Sequence, residues 1–174
     1  VELDILRGET RRPEFLALNP NGRIPLLVLE DGRRLAESNA ILFHLAQGTP
    51  FWPTSAFEQA EVLQWMFFEQ YSHEPYVAVV RFWTFAGQLE AHAAELPERR
   101  RRAEAALDVM EGHLAARSYF VGERCSIAHV ALYAYTHVAH EGGFDLAARP
   151  AIRAWLERVA SQPGTVAIDA VGPD

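Results

Sequence analysis

Leu18-Asn19-Pro20-Asn21-Gly22-Arg23-Ile24-Pro25-Leu26-Leu27 is the stretch on which the fold of this chain turns. Asn19-Pro20-Asn21-Gly22 is a strong turn signal. Residues 24–30 follow as an apolar, partly β-branched run that reads as a strand. Pro25 stands at its entrance, where it cannot donate to a sheet ladder. Read alone, it is an ordinary edge-strand proline. With a cis Ile24–Pro25 bond, the Ile24 N–H and C=O would instead face outward and could pair with a short extended peptide, as an added strand does. Asp31-Gly32 then signals a hairpin and a short return strand over 33–36. Glu37-Ser38 opens a helix over 39–47, with Ser38 as its cap. Unpaired N–H groups and the dipole make such a helix end attractive to a carboxylate. Glu37 would then face an ammonium group, and an α-amino acid carries both charges on one carbon. Read alone, the same pair is a cap beside a surface acid.

Working outward, residues 1–6 alternate and predict another short strand. Gly8 breaks the pattern, and Pro13 opens a brief helix over 14–18. Residues 47–55 hold Gly48, Pro50 and Pro53 and read as a linker. Beyond it the strand signals vanish. Residues 57–89 carry a long helical pattern that Pro75 should kink or divide. Pro97 opens a helix with Ala103, Leu107, Met110 and Leu114 on its apolar face. Further helices are predicted over 127–140, before Gly142-Gly143, and from Pro150 through Val159. The tail from 162 onward is weakly patterned, and there are no repeats. A three-stranded sheet with helices on one side is thin. A central strand and a covering helix are therefore expected before Val1, where the chain opens without Met.

The chain has 174 residues, 49% of them hydrophobic, which is the composition of a folded globular protein rather than a disordered one. Its formal charge is −7, from 16 Lys+Arg against 23 Asp+Glu, which disfavours nucleic acid. Every one of those cations is Arg, so Schiff-base and P-loop lysine chemistry is excluded within these residues. Cys125 is the only cysteine, which allows no internal disulfide and fits a reducing, cytoplasmic setting. No stretch approaches ~18 apolar residues, so no membrane span is expected, and no signal peptide is visible.

Several other groups read as structural. Cys125 precedes a helix start that would lower its pKa, but it also suits a hydrophobic staple. His137-Val138-Ala139-His140-Glu141 lacks the spacing of a zinc motif. His73-Glu74-Pro75 adjoins the expected break in the long helix. Glu98-Arg99-Arg100-Arg101-Arg102 is flanked by acids and reads as a solvated face.

Taken in order, Asn19-Pro20-Asn21-Gly22-Arg23-Ile24-Pro25, then Asp31-Gly32, then Leu35-Ala36-Glu37-Ser38-Asn39-Ala40-Ile41 closely resemble the thioredoxin-like domain of bacterial-type cytosolic glutathione transferases. Phe120-Val121-Gly122 and Cys125-Ser126-Ile127-Ala128 resemble the lead-in to that family's buried helix. Glu69-Gln70-Tyr71-Ser72-His73-Glu74-Pro75-Tyr76 is similar to a stretch in its bacterial members. The resemblance implies a truncated α/β thioredoxin-like domain over 1–47, a linker over 48–55 and an all-helical domain over 56–174, with the ligand site where the two parts meet. It implies that Pro25 is the family's cis-proline and that Ile24 pairs with the cysteinyl part of glutathione. Glu37 and Ser38 would hold the γ-glutamyl end, and Arg23 would face the glycine carboxylate or solvent. Glutathione would serve as co-substrate. A residue upstream of Val1 would lower the pKa of its thiol, near ~8.5 when free, for attack on a small electrophile. The alternatives are a non-enzymatic binding protein of the same fold and a glutathione-dependent disulfide reductase. Tyr71, Tyr76, Phe82 and Trp83 are candidates for an apolar wall around the electrophile. A homodimer is expected, with no metal. One departure concerns the buried helix, which in the family usually begins Ser/Thr-x-x-Asp and here begins Ser126-Ile127-Ala128-His129. Half of the reciprocal box is then lost or altered, although a neutral imidazole nitrogen can still accept the bond.

Overall fold

The computed structural model describes residues 1–168. Two compact units divide the chain between Trp52 and Pro53.

In the first unit, β1 (Leu26–Val28) pairs antiparallel with β2 (Arg34–Ala36) in the register Leu26↔Ala36, Leu27↔Leu35, Val28↔Arg34. Turn chemistry fixes this register. The Leu29 N–H donates to the Arg33 carbonyl at 2.8 Å, and the Asp31 carboxylate accepts the Arg33 N–H at 3.0 Å. Gly32 sits at φ +84°, which favours a residue without a Cβ. Pro13 occupies the first position of α1 (Pro13–Leu16), as its missing N–H allows, and α1 buries Phe15. A 3₁₀ turn, Glu9–Arg11, precedes α1, and α2 (Ser38–Ala46) follows β2 directly.

Residues 1–6 correct the sequence reading. They form no strand; Ile5–Gly8 is a turn, and the sheet has two strands rather than three. An alternating pattern becomes a strand only beside a sheet edge that takes its N–H and C=O groups. Among the described residues, β1 and β2 pair only with each other.

The second unit is helical: α3 (Ala56–Phe68), α4 (Glu74–Phe85), α5 (Leu96–Leu114), α6 (Ile127–Thr136) and α7 (Pro150–Ala160). A π-helical segment, Glu69–His73, joins α3 to α4. Pro75 lies in the first turn of α4, where its missing donor is harmless, so the long pattern divides there. The core is built on Trp155, Phe120, Phe144, Leu107, Met110 and Leu132. Ala103, Leu107, Met110 and Leu114 do form the buried stripe of α5. Glu111 on α5 accepts the N–H groups of Ala151 and Ile152 at 3.0 and 2.9 Å, capping α7 from a neighbouring helix.

The sixth helix ends at Thr136, short of the predicted 140, and the chain continues as a 3₁₀ turn, Ala139–Gly142. That turn packs on α4. A Cβ on Gly142 would stand 3.2 Å from the Arg81 backbone N and 3.1 Å from the Phe144 ring. Close backbone approach, invisible to periodicity, redirects the chain. Gly142→Ala should therefore lower unfolding free energy by about 1–3 kcal/mol. An urea melt indistinguishable from wild type would show that this contact yields without cost.

Candidate functional site

The hairpin brings the two sequence-predicted ligand pieces to one end of one element. Leu26↔Ala36 is the last ladder pair. Pro25 and Ile24 leave it on one side, and Glu37 and Ser38 leave it on the other. Adjacent antiparallel strands hold opposed Cα atoms ~4.5–5.5 Å apart, so these four residues emerge as neighbours. The Ile24–Pro25 peptide is cis. Ile24 and Pro25 are exposed, and no hydrogen bond of the Ile24 N–H or C=O is found among the described residues. Arg23 is also exposed at this end.

Glu37 makes the whole connection between β2 and α2. It turns the chain at φ +67°, ψ 114°, the only non-glycine residue with positive φ among those described. A side chain at such an angle carries strain of order 1–3 kcal/mol. Here the structure corrects the sequence reading by one residue. Ser38 is the first residue of the helix rather than its cap, and the helix ends at Ala46. A single connecting residue leaves no room for an extended Ser38 ahead of the first turn. Glu37 takes the cap position, its carbonyl accepts the Ile41 N–H at 3.0 Å, and no side chain caps the helix. The positive end of the α2 dipole thus lies beside the Glu37 carboxylate and the Ser38 hydroxyl. An ammonium and a carboxylate carried on one carbon match that pairing.

Asn19 stands in the sequence as part of a turn signal. It is buried and bonds along the loop, its carboxamide donating to the Arg23 carbonyl at 2.7 Å. Burial of a polar residue in a turn is what marks it out, and the sequence alone does not supply that.

In the second unit, Tyr71 and Tyr76 line a groove of about 330 Å³ with Phe68 and Val109, and Arg101 and Arg102 stand in its wall. Arg102 donates to the Tyr76 hydroxyl at 2.8 Å. Hydrogen bonds from Arg101 and Arg102 pull the Glu98 carboxyl down to about 2. The other two aromatic candidates lie elsewhere. Trp83 is buried, with His92 stacked on it at 3.9 Å and Arg99 over its ring, so it is a packing residue. Phe82 does not line the groove.

Burial pushes the Cys125 thiol up to about 11, opposite to the lowering expected from a helix start, so the thiol stays protonated at neutral pH. His73 is fully buried. Thr136 Oγ1 donates to the Leu132 carbonyl at 2.6 Å, so His73 Nε2, 3.0 Å away, must carry the proton and donate to Thr136. Burial holds its pKa down at about 4. His137 is committed locally, with Nδ1 2.7 Å from the Tyr133 carbonyl.

His129 answers the open question about the helix cap. Nδ1 lies 2.9 Å from the Ser126 N–H and 3.0 Å from Ser126 Oγ, while Nε2 lies 2.9 Å from the Phe120 N–H. A neutral imidazole has one bare nitrogen. It accepts one of these two backbone donors and turns its own N–H toward the other. Burial, with His113 nearby, holds its pKa at about 4.

Comparison with known proteins places these features in context. The profile described as "Glutathione S-transferase, C-terminal domain" matches residues 60–163, and "Glutathione S-transferase, N-terminal domain" matches residues 1–47. The chain is 34% identical to glutathione S-transferase 3 of Zea mays, over 94% of this chain and 78% of that protein. It is 31% identical to the disulfide-bond oxidoreductase YfcG of Escherichia coli strain K12, over 95% and 80%. A crystal structure of a glutathione S-transferase from Pseudomonas fluorescens superposes with a TM-score of 0.93 at 54% identity, covering 97% of this chain and 84% of that one. A glutathione transferase homologue from Sulfitobacter, solved with bound glutathione, superposes with a TM-score of 0.77 at 26% identity, covering 94% and 80%.

Proposed function

The chain belongs to the glutathione S-transferase family, and on that premise we propose that its first unit binds glutathione at the open end of the β1–β2 hairpin and that the protein acts as a glutathione-dependent enzyme. The observation that carries the proposal is the shared exit of Ile24-Pro25 and Glu37-Ser38 from the last ladder pair. Ile24 offers a backbone N–H and C=O to the cysteinyl residue, as an added strand would. Ser38 and the first turn of α2 take the γ-glutamyl carboxylate, and Glu37 takes its ammonium group. Arg23 meets the glycine carboxylate or stays in solvent. Strain at Glu37 supports the reading, since unfavourable backbone angles persist where a side chain is needed in one place.

The thiolate is the nucleophile. In the transferase reading it attacks an electrophilic carbon, forms a carbon–sulfur bond and expels a leaving group or takes up a proton. In the second reading it attacks a disulfide sulfur and releases a thiolate, forming a mixed disulfide with glutathione. Similarity to the E. coli disulfide-bond oxidoreductase favours the second; similarity to the maize transferase favours the first. The groove holding Tyr71 and Tyr76 is a candidate apolar wall for either acceptor. We expect a homodimer, as the family resemblance implies.

Replacing Glu37 by glycine tests the ligand site with two readouts of opposite sign. Relief of the positive φ should raise unfolding free energy by about 1 kcal/mol. Loss of the carboxylate should weaken glutathione binding roughly tenfold in calorimetry. Unchanged affinity in a more stable protein would remove Glu37 from the site. Turnover with a panel of carbon electrophiles and disulfides then separates the two chemistries. Binding without turnover on either panel would leave a non-enzymatic binding protein of the same fold.

A further inference from the structure

We infer that Asn19 is a positioning residue that aims the Ile24 N–H at glutathione; the inference rests on the ligand reading above. Asn19 is buried at 6% exposure, in a loop whose neighbours Pro20, Asn21 and Arg23 are exposed. Its main-chain N–H donates to the Phe15 carbonyl at 2.8 Å, which ties it to the end of α1. Its carbonyl accepts the Gly22 N–H at 2.9 Å. Its Oδ1 accepts the Asn21 N–H at 3.2 Å, and its Nδ2 donates to the Arg23 carbonyl at 2.7 Å. Only one orientation of the carboxamide satisfies both side-chain bonds, because the flipped amide would face a carbonyl with its oxygen and an N–H with its nitrogen.

The geometric consequence lies in the next peptide plane. The Arg23 carbonyl and the Ile24 N–H belong to one planar trans peptide and point in opposite directions. A grip on the carbonyl therefore sets the direction of the amide. The loop cannot easily slide around that grip. Gly22 holds φ +63°, and a Cβ there would meet Arg11 Nη1 at 2.6 Å and the Thr10 carbonyl at 3.0 Å. Arg11 Nη1 also donates to the Asn21 carbonyl at 3.1 Å. The rigid path thus runs from α1 through the Asn19 carboxamide to the Arg23–Ile24 peptide. That peptide supplies the donor proposed for the cysteinyl residue, so Asn19 acts on the ligand without touching it. A donor held in place before binding costs the ligand less ordering than one found on arrival.

Asn19→Asp keeps the size of the side chain and its acceptor for Asn21, but sets a carboxylate oxygen against the Arg23 carbonyl. In the variant, the dissociation constant for glutathione should rise roughly tenfold by calorimetry. In ¹⁵N-labelled protein, glutathione should no longer shift the Ile24 amide resonance as it does in wild type, while the Ser38 amide still responds. A purely structural role would change both amides alike or neither. Asn19→Ser, which removes the reach to Arg23 without adding charge, carries the same comparison if the aspartate variant does not melt cooperatively. Variants that bind as wild type, with an unaltered Ile24 response, overturn the inference and leave the ligand site standing. A wild-type protein in which glutathione moves neither amide overturns the ligand site and this inference with it.

Discussion

Between about pH 7.5 and pH 4.5 the protein should lose several kcal/mol of stability, in a window set by histidines rather than carboxylates. His73 and His129 both stand near pKa 4 because burial penalises the imidazolium. In the unfolded chain each titrates near the ordinary value of 6.5. Above that value neither state is protonated and the pair contributes no pH dependence. As pH falls through 6.5 the unfolded chain takes up two protons that the folded chain refuses, so unfolding becomes easier. The loss continues to about pH 4, where the folded state begins to bind them too. Each pKa unit corresponds to about 1.4 kcal/mol, so two groups give a slope approaching ~2.7 kcal/mol per pH unit. Burial lowers His113 in the same direction. Glu98 is displaced the other way, by hydrogen bonds from Arg101 and Arg102, and its window lies lower, between the ordinary carboxylate value and about 2. Denaturant midpoints across this range, with proton uptake on unfolding, give the measurement. His73→Asn should remove about half of the slope. Equal stability at neutral pH and at pH 5 would mean that both imidazoles are protonated, or hydrated, in the folded protein.

The second large effect centres on His129. Its ring faces the backbone donors of Ser126 and Phe120 with two nitrogens, of which only one is bare at a time. His129→Ala should cost about 3–5 kcal/mol, from the lost ring volume and the buried backbone N–H that loses its acceptor. His129→Asp has a different expected outcome. One carboxylate oxygen stands where imidazole Nδ1 stands, bonded to Cγ, and carries no proton to collide with the Ser126 N–H; the other falls short of the Nε2 position. The Ser126 N–H would keep an acceptor, so the reciprocal cap of α6 that His129 already makes would survive, while the Phe120 N–H, which meets the far ring nitrogen, would lose its partner. The aspartate variant should therefore recover part of the alanine loss, the part owed to the Ser126 cap. It should also flatten the acid dependence, because the histidine that refuses a proton is gone. If the aspartate variant is as unstable as the alanine one, ring packing against Phe120 and Trp155 outweighs the hydrogen bonds.

The two variants bear on why this site was only half legible. Ser126-Ile127-Ala128-His129 already identifies a helix start with an unusual third residue, because capping is a matter of neighbours three apart. That the same ring also meets the Phe120 N–H, nine residues back, depends on how the preceding loop folds over α6. Asn19 is a similar case. Its turn is visible in Asn19-Pro20-Asn21-Gly22, but its burial and its reach to Arg23 are not.

Local chemistry therefore determined much of this protein from its sequence. Asp31-Gly32 dictated the hairpin, Pro13 and Pro150 marked helix beginnings, Pro75 marked the division of the long helical pattern, and the spacing of Ala103, Leu107, Met110 and Leu114 gave the buried stripe of α5. These signals act over one turn of chain, so they survive without knowledge of the fold. Tertiary structure alone decided the rest. Residues 1–6 alternate like a strand but pair with no sheet edge among the described residues. Glu37 takes positive φ because β2 and α2 leave one residue between them, which moves the helix start onto Ser38. Gly142 is drawn against Arg81 and Phe144, which ends the sixth helix early. In each case the deciding partner is distant in sequence, and hydrogen bonding, strain and steric contact are satisfied only in space.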